Sequence, residues 1–433
     1  MSYLSEHRPR MLSPLREHLR DTFWFAPVVA MAGVFLLWWV CSELDAAIVR
    51  SLQEEGEHEA VRDLIGITED AKTIVTTISS AMMTFIGVVF SISLVAVQMA
   101  SGQFSPRIVR IFIRSRITKA TFSVFLSTFL LSLLVLTSYD ATPEPQDIST
   151  VPLVQSLLTL IMVLLSLLLF VAYVNSTLRL MRVGHVVDRI TVESFGVLAK
   201  TPRYQAGDTA DLGEPAEYVV HRGRAGVVRD VNIARLVRDA RRHGVVLRLL
   251  PRIGDFVVPG TPVLAVHGGR LRRRLVPSVY VGSERTFHQD LAFGLRQLAD
   301  IGLRALSPAV NDPTTAVQAL DRIVQLLSAV ARRPLGAVGH RDGQGVVRLV
   351  QDLPGWTHLV DLGFTEIRGC AAGNPQVSRR MLAGLDDLLA LVPEDRREPL
   401  LRHRALLAQE VERSVPEAAE RAFALEADRQ GIG

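Results

Sequence analysis

A chain of 433 residues, 48% hydrophobic, with 48 Lys+Arg against 44 Asp+Glu and a formal net charge of +4, has room for a membrane bundle and one or two further domains. Its two cysteines, Cys41 and Cys370, are too few for a disulfide framework or a thiolate metal site. Its lysines are Lys72, Lys119 and Lys200, so the rest of the C-terminal half excludes a Walker-type phosphate loop, a lysine Schiff base and biotin or lipoyl attachment.

Four stretches contain no charged residue: Thr22–Ser42, Thr73–Pro106, Ala120–Tyr139 and Ile148–Leu178. A helix needs about 20 apolar residues to cross the hydrocarbon core. The four stretches are therefore predicted membrane spans. The first follows 21 mostly polar residues without a small-residue cleavage site and reads as a retained anchor. The flanking charges alternate in sign. The N-terminal segment has Arg8, Arg10, Arg16 and Arg20; loop one is acidic, with Glu54, Glu55, Glu57 and Glu59; loop two has Arg107, Arg110, Arg114, Arg116 and Lys119; loop three has Asp140, Glu144 and Asp147; Arg179 and Arg182 follow span four. By the positive-inside rule the N-terminus and the C-terminal region are expected on the cytoplasmic side.

Span two differs from the others. Ser80, Thr84, Gly87, Ser91 and Gln98 share one helical face. Such a face serves helix packing, where small residues let backbones approach, or it lines a polar path in an oligomer. No Asp, Glu, Lys, Arg or His lies inside any of the four predicted spans, which argues against a proton-coupled carrier but not against a channel lined by hydroxyls. After span two, Ser105 and Pro106 suit a helix start, and Arg107, Arg110 and Arg114 then alternate with bulky apolar residues. That pattern predicts an interfacial helix on anionic headgroups, or a basic ring at a cytoplasmic mouth.

Span four is expected to continue as a helix through about residue 199, followed by a Gly/Pro/Asp-rich linker. Strands are predicted at Glu217–Val220, Gly226–Val231 and Val245–Leu250, with a helix at Asn232–His243 capped by Asn232. The segment Gly254–His267, with its Gly-Asp, Pro-Gly and Pro spacing, is a turn between two strands. It resembles the hammerhead turn of barrel-sandwich (lipoyl-like) domains, without their carrier lysine. Arginines crowd Arg222–Arg274, a basic surface for the anionic inner leaflet, for acidic C-terminal helices or for an anionic ligand. No nucleic-acid motif accompanies them.

From Thr286 to Leu306 the pattern is helical; Pro308 ends that helix, and Asp312 caps the next with Pro313 in its first turn. The motif Ala305–Ala316 is either a doubly capped corner or a polar pocket of Ser307, Asn311, Asp312, Thr314 and Thr315 with His288 and Asp290. Strands are expected at Gly345–Gln351 and Thr357–Leu362, then a helix from Asn374–Pro375 to Val392 and an acidic helical tail. Ser80–Arg116, with Met-Thr-Phe-Ile-Gly-Val-Val-Phe-Ser and Phe-Ser-Pro-Arg, and Phe287–Asp321, with Ala-Leu-Ser-Pro-Ala-Val-Asn-Asp-Pro-Thr-Thr-Ala, resemble a bacterial family of predicted membrane proteins, domain of unknown function 2254. The resemblance implies four transmembrane helices and a cytoplasmic domain, and names no activity.

The expected fold is thus a four-helix membrane domain followed by an α+β cytoplasmic domain with a small β-rich, barrel-sandwich-like part. The divisions are 1–21, 22–200, 201–281 and 282–433. The expected function is an oligomeric channel or passive permeation protein gated by its cytoplasmic domain; the alternative is a non-transporting scaffold or sensor that binds a ligand or partner. Membrane lipids and further copies of the chain are the expected partners. No catalytic motif, metal spacing or cofactor loop is present, so no enzyme, metal or cofactor is expected.

Overall fold

A computed structural model describes residues 22–55, 58–103, 115–139, 151–200, 212–271 and 278–430. The arginines of the N-terminal segment, the acids of loop three, Arg107, Arg110, Arg114 and the run 272–274 lie outside the described residues. The chain forms two compact units that part between Arg182 and Val183.

The first unit holds four helices long and apolar enough to cross a membrane. These are α1 (Phe25–Glu54), α2 (His58–Gln103), α3 (Arg116–Thr137) and α4 (Leu153–Leu180). Half of the α3 window is buried against 17% in each of the others, so α3 is the axis of the bundle. Two apolar clusters tie the helices. Val34, Val75, Leu131 and Val135 form one, and Met82, Val89, Phe122, Phe125 and Tyr173 the other. Phe85 meets Phe170 edge-on at 5.6 Å in the second. Large apolar side chains such as Leu36, Leu168 and Val171 point outward, as a hydrocarbon solvent requires. At 1.5 Å per residue α2 is about 69 Å long, more than twice the roughly 30 Å hydrocarbon thickness.

Span four does not run on unbroken. Helix α4 ends at Leu180, Met181 closes it, and a new helix α5 (Val183–Lys200) starts in the second unit. Its buried stripe of Val186, Val187, Ile190 and Val197 is amphipathic at helical spacing. That stripe packs within the second unit, so the unit boundary falls ahead of the expected position at 200.

The second unit carries two sheets and a helical layer. In chain order the elements are β1 (Glu217–Val220), β2 (Gly226–Val231), α6 (Ile233–His243), β3 (Val246–Leu249), β4 (Phe256–Val257), β5 (Pro262–His267), β6 (Val279–Gly282), α7 (Leu291–Ala305), α8 (Pro313–Val330), β7 (Ala337–Arg341), β8 (Val347–Asp352), α9 (Trp356–Ala371), α10 (Pro375–Leu391), α11 (Glu398–Ser414) and α12 (Ala418–Leu425). Strands β1-β5-β3-β8-β7 form one sheet and β4-β2-β6 the other. Only the β3–β8 pair is parallel among these ladders. The strands on either side of the Pro259-Gly260 turn, β4 and β5, enter different sheets, so this turn joins two open sheets and no closed barrel forms among the described residues. Helix α6 covers the sheet with Leu236 and Ala240, and its N-cap is Asn232, as the sequence predicts.

Three expectations change. Thr357–Leu362 is not a strand but lies in α9, whose buried Trp356, Leu359, Val360, Phe364 and Ile367 follow the helical period. Strand β7 was not anticipated; it pairs antiparallel with β8. Helix α7 begins at Leu291 rather than Thr286, because the Asp290 side chain accepts from Phe293 N at 3.0 Å and sets the start.

The helices α8 and α9 cross at Gly363, where a Cβ would come within 2.7 Å of Ile323 Cγ2. Ile is stiff at its first torsion and cannot swing aside cheaply. Gly363→Ala is expected to lose about 1–3 kcal/mol of stability, read as a lower melting temperature of the purified protein.

Candidate functional site

Helix α2 presents two opposite faces. Val75, Ser79, Met82, Val89 and Ala96 are buried and form the seam toward the bundle. Tyr173 clamps that seam: its hydroxyl donates to Val89 O at 3.0 Å and shares a 2.6 Å bond with Ser93 Oγ. The five residues of the polar stripe lie roughly 160° around the helix from the seam, at 3.6 residues per turn. All five, Ser80, Thr84, Gly87, Ser91 and Gln98, are exposed. Ser80 Oγ donates to Thr76 O and Thr84 Oγ1 to Ser80 O, so these hydroxyls are satisfied on their own helix. A Cβ at Gly87 would meet nothing within 4 Å. The stripe therefore does not pack the protomer's own bundle.

Packing inside the bundle is done by hydroxyls on α3 and α4 instead. Thr121, Thr128, Ser132, Thr159 and Ser166 are nearly inaccessible. Thr128 Oγ1 bonds Ser166 Oγ at 3.1 Å across the two helices, and Thr121 Oγ1 donates to Leu169 O at 3.4 Å. The spacing of seven and then four from Thr121 to Thr128 to Ser132 was the available signal.

The first helix also runs past Ser42 to Glu54 and so carries a carboxylate, Asp45, which is 1% exposed. The N-cap of α4 is Pro152, which offers no side-chain acceptor. Asp45 serves in its place: Oδ1 accepts from Val154 N at 2.8 Å and Oδ2 from Gln155 N at 3.3 Å. A carboxylate at the positive end of a helix satisfies orphan N–H groups and the dipole together.

In the second unit the Ser307–Thr315 motif is a helix corner. Ser307 Oγ donates to Arg304 O, Asn311 takes the left-handed conformation with φ 48°, and Asp312 accepts from Thr315 N and Thr315 Oγ1. Asn is the non-glycine residue best suited to that conformation. Thr314 is exposed. The expected pocket with His288 and Asp290 does not assemble. Those two residues stand at the opposite end of α7, about 22 Å away along a 15-residue helix. His288 Nε2 faces Asp230 Oδ1 at 4.0 Å, and Asp290 takes two bonds from Arg285, at 2.8 and 3.0 Å.

Asp290 instead lines a different site, a cleft of about 60 Å³. A single water needs roughly 10–15 Å³ on this measure, so the cleft holds several waters or a small ligand. It opens at the C-terminal end of β8, where Gln351 and Asp352 reach it. Leu198, Ile253, Leu335, Leu353 and Leu359 make its apolar walls, and Gln289, Arg333, Gln351 and Asp352 its polar points. Most of these points are already engaged. The Gln289 amide bridges Val231 N and Val231 O, Arg333 Nη1 donates to Leu198 O at 2.7 Å, and Asp352 pairs with Arg248 at 3.1 Å. Gln351 Oε1 bonds His340 Nε2 at 3.1 Å, and burial pushes that imidazole below its ordinary value, so it is neutral at pH 7. An apolar cleft with a few fixed polar groups suits a small, mostly apolar ligand. Sequence reasoning missed it because its walls come from five separate elements and loops. Among the described residues no cluster of three or more His, Cys, Asp or Glu could hold a metal ion.

Comparison with known proteins agrees with the four spans. The chain is 29% identical over 386 residues to an uncharacterised protein of Mycobacterium tuberculosis, covering 84% of this chain and 71% of the relative. It is equally similar, over 389 residues with the same coverage, to an uncharacterised protein of Mycobacterium bovis. No solved structure matches it. The family model described as "Predicted membrane protein (DUF2254)" matches residues 20–387. With four apolar helices at its N-terminal side and that match over most of its length, the chain is a multi-pass membrane protein and belongs to this family.

Proposed function

We propose that the protein is an oligomeric permeation protein of the bacterial inner membrane, with its N-terminus and second unit on the cytoplasmic side. In this reading the open face of α2 meets its counterpart in other copies and lines a shared polar path, and the second unit gates it. One observation carries the proposal: the stripe of Ser80, Thr84, Gly87, Ser91 and Gln98 is exposed, while the protomer packs through the opposite face of the same helix. Hydroxyls and small residues let helices approach closely and can line a path without ionisable groups.

The test uses single cysteines in a Cys370→Ser background, Cys41 being buried. Ser80→Cys, Thr84→Cys and Ser91→Cys are expected to cross-link copies in the membrane, while Leu36→Cys and Leu168→Cys on outward apolar faces are not. Thr84→Leu should reduce ion flux into vesicles holding the reconstituted protein. Absence of flux from the unmodified protein under every salt, voltage and tension applied would sink the permeation reading.

The cleft favours a second reading, a non-transporting sensor. Its apolar walls and engaged polar groups suit ligand binding without any path through the membrane. That reading predicts that small apolar-bodied compounds raise the melting temperature and that Leu335→Trp, which fills the cleft, removes the gain. Thr84→Leu would leave the gain intact.

A further inference from the structure

One end of the β-rich part gathers exposed apolar side chains on turns. Phe256 is 67% exposed and Val258 49%, with Val220 and Leu250 beside them at 37% each. The backbone brings these residues together. His221 N donates to Thr261 O and Gly260 N to His221 O, both at 2.8 Å, which joins the loop after β1 to the Pro259-Gly260 turn. Gly226 pairs with Val257 and Val227 with Phe256, and Leu250 N donates to Val263 O. The loop and the turn before β4 also carry Arg222, Arg224 and Arg252, all exposed.

The tip is built rather than slack. Thr261 Oγ1 accepts from Val258 N, Gly260 sits at φ 93°, and Asp255 Oδ2 accepts from Arg252 N at 2.7 Å. Asp255 is thus committed to holding the turn. Exposed aromatic and aliphatic side chains flanked by arginines fit an interface that is apolar below and anionic above. They fit a protein helix or strand less well, since either would want a groove or an open strand edge rather than the crests of turns. The same chain carries four membrane helices, so it resides at a bilayer.

We propose that this tip is a membrane-docking element: Phe256 and Val258 enter the interfacial layer of an anionic leaflet while Arg222, Arg224 and Arg252 lie against its headgroups. The proposal is independent of whether anything permeates. Each arginine near an anionic surface strengthens docking by roughly fivefold, and the attraction weakens as salt rises.

The test uses the full chain in lipid nanodiscs, with Cys370→Ser and a bimane fluorophore on Val258→Cys. In discs containing phosphatidylglycerol the label should emit at shorter wavelength and be quenched by brominated acyl chains. Quenching should fall in phosphatidylcholine discs, at high salt, and in the triple variant Arg222→Gln, Arg224→Gln, Arg252→Gln. A label on Val346→Cys, at the exposed β7–β8 turn, should stay aqueous and unquenched. Three outcomes overturn the proposal: an aqueous spectrum at Val258→Cys in anionic discs, a blue shift without bromine quenching, which means a protein partner covers the tip, or equal quenching at both positions.

Discussion

Arg285→Met is expected to destabilise the second unit by about 3–5 kcal/mol, the usual consequence of stripping one partner from a buried ion pair. Asp290 is 3% exposed and receives both of its charged bonds from Arg285, at 2.8 and 3.0 Å. The guanidinium also lies 5.3 Å from the Phe293 ring centroid, a contact that Met keeps only as apolar packing. Burial already holds the Asp290 carboxyl above the ordinary carboxylate range, even beside Arg285. A carboxyl raised in the folded state favours folding while protonated, and that contribution is lost as pH rises through the raised value. Removing Arg285 raises it further. The variant's deficit should therefore shrink as pH is lowered, against the usual trend of acid loosening. Asp290→Asn keeps a good N-cap and removes the charge, so the double variant should recover most of the loss. Thermal unfolding at several pH values checks both points. A deficit that is independent of pH and unchanged in the double variant would contradict the account.

Asp45→Ala should destabilise the membrane unit by about 2–3 kcal/mol, the range for a buried hydrogen bond to a charged group. The substitution leaves Val154 N and Gln155 N in the first turn of α4 without their acceptor at a buried position. Asp45→Asn keeps one carbonyl acceptor and should lose about half as much. Glu54→Ala, on an exposed position of the same helix, is the comparison. Thermal unfolding in nanodiscs that gives equal melting temperatures for Asp45→Ala and Glu54→Ala would refute the cross-helix cap.

Local chemistry was legible and long-range chemistry was not. The four spans, the caps Asn232, Asp312 and Asn374, and strands β1 and β2 were readable because apolar runs, Asn or Asp before helices and valine alternation act within a few residues. Asp45 was invisible as a cap because the helix it serves starts more than a hundred residues later. The polar stripe of α2 was visible, but its direction was not, since helical periodicity defines a face without saying what the face meets. Asp290 was singled out for a pocket at the wrong end of α7. The cleft it does line, with Gln289, Arg333 and Gln351, converges only through the fold.

The parallel pairing of β3 with β8 has a consequence for synthesis. Leu247 faces Leu349, so the five-stranded sheet stays open along β3 until the chain has been made through residue 352. At about 5–20 residues per second the ribosome needs roughly 5–20 s to supply the missing partner. During that wait a hydrophobic strand with a bare edge invites mispairing with neighbouring nascent chains. The pieces on either side of position 282 are thus one folding unit, and a chain cut between β6 and β8 should form inclusion bodies rather than a stable half.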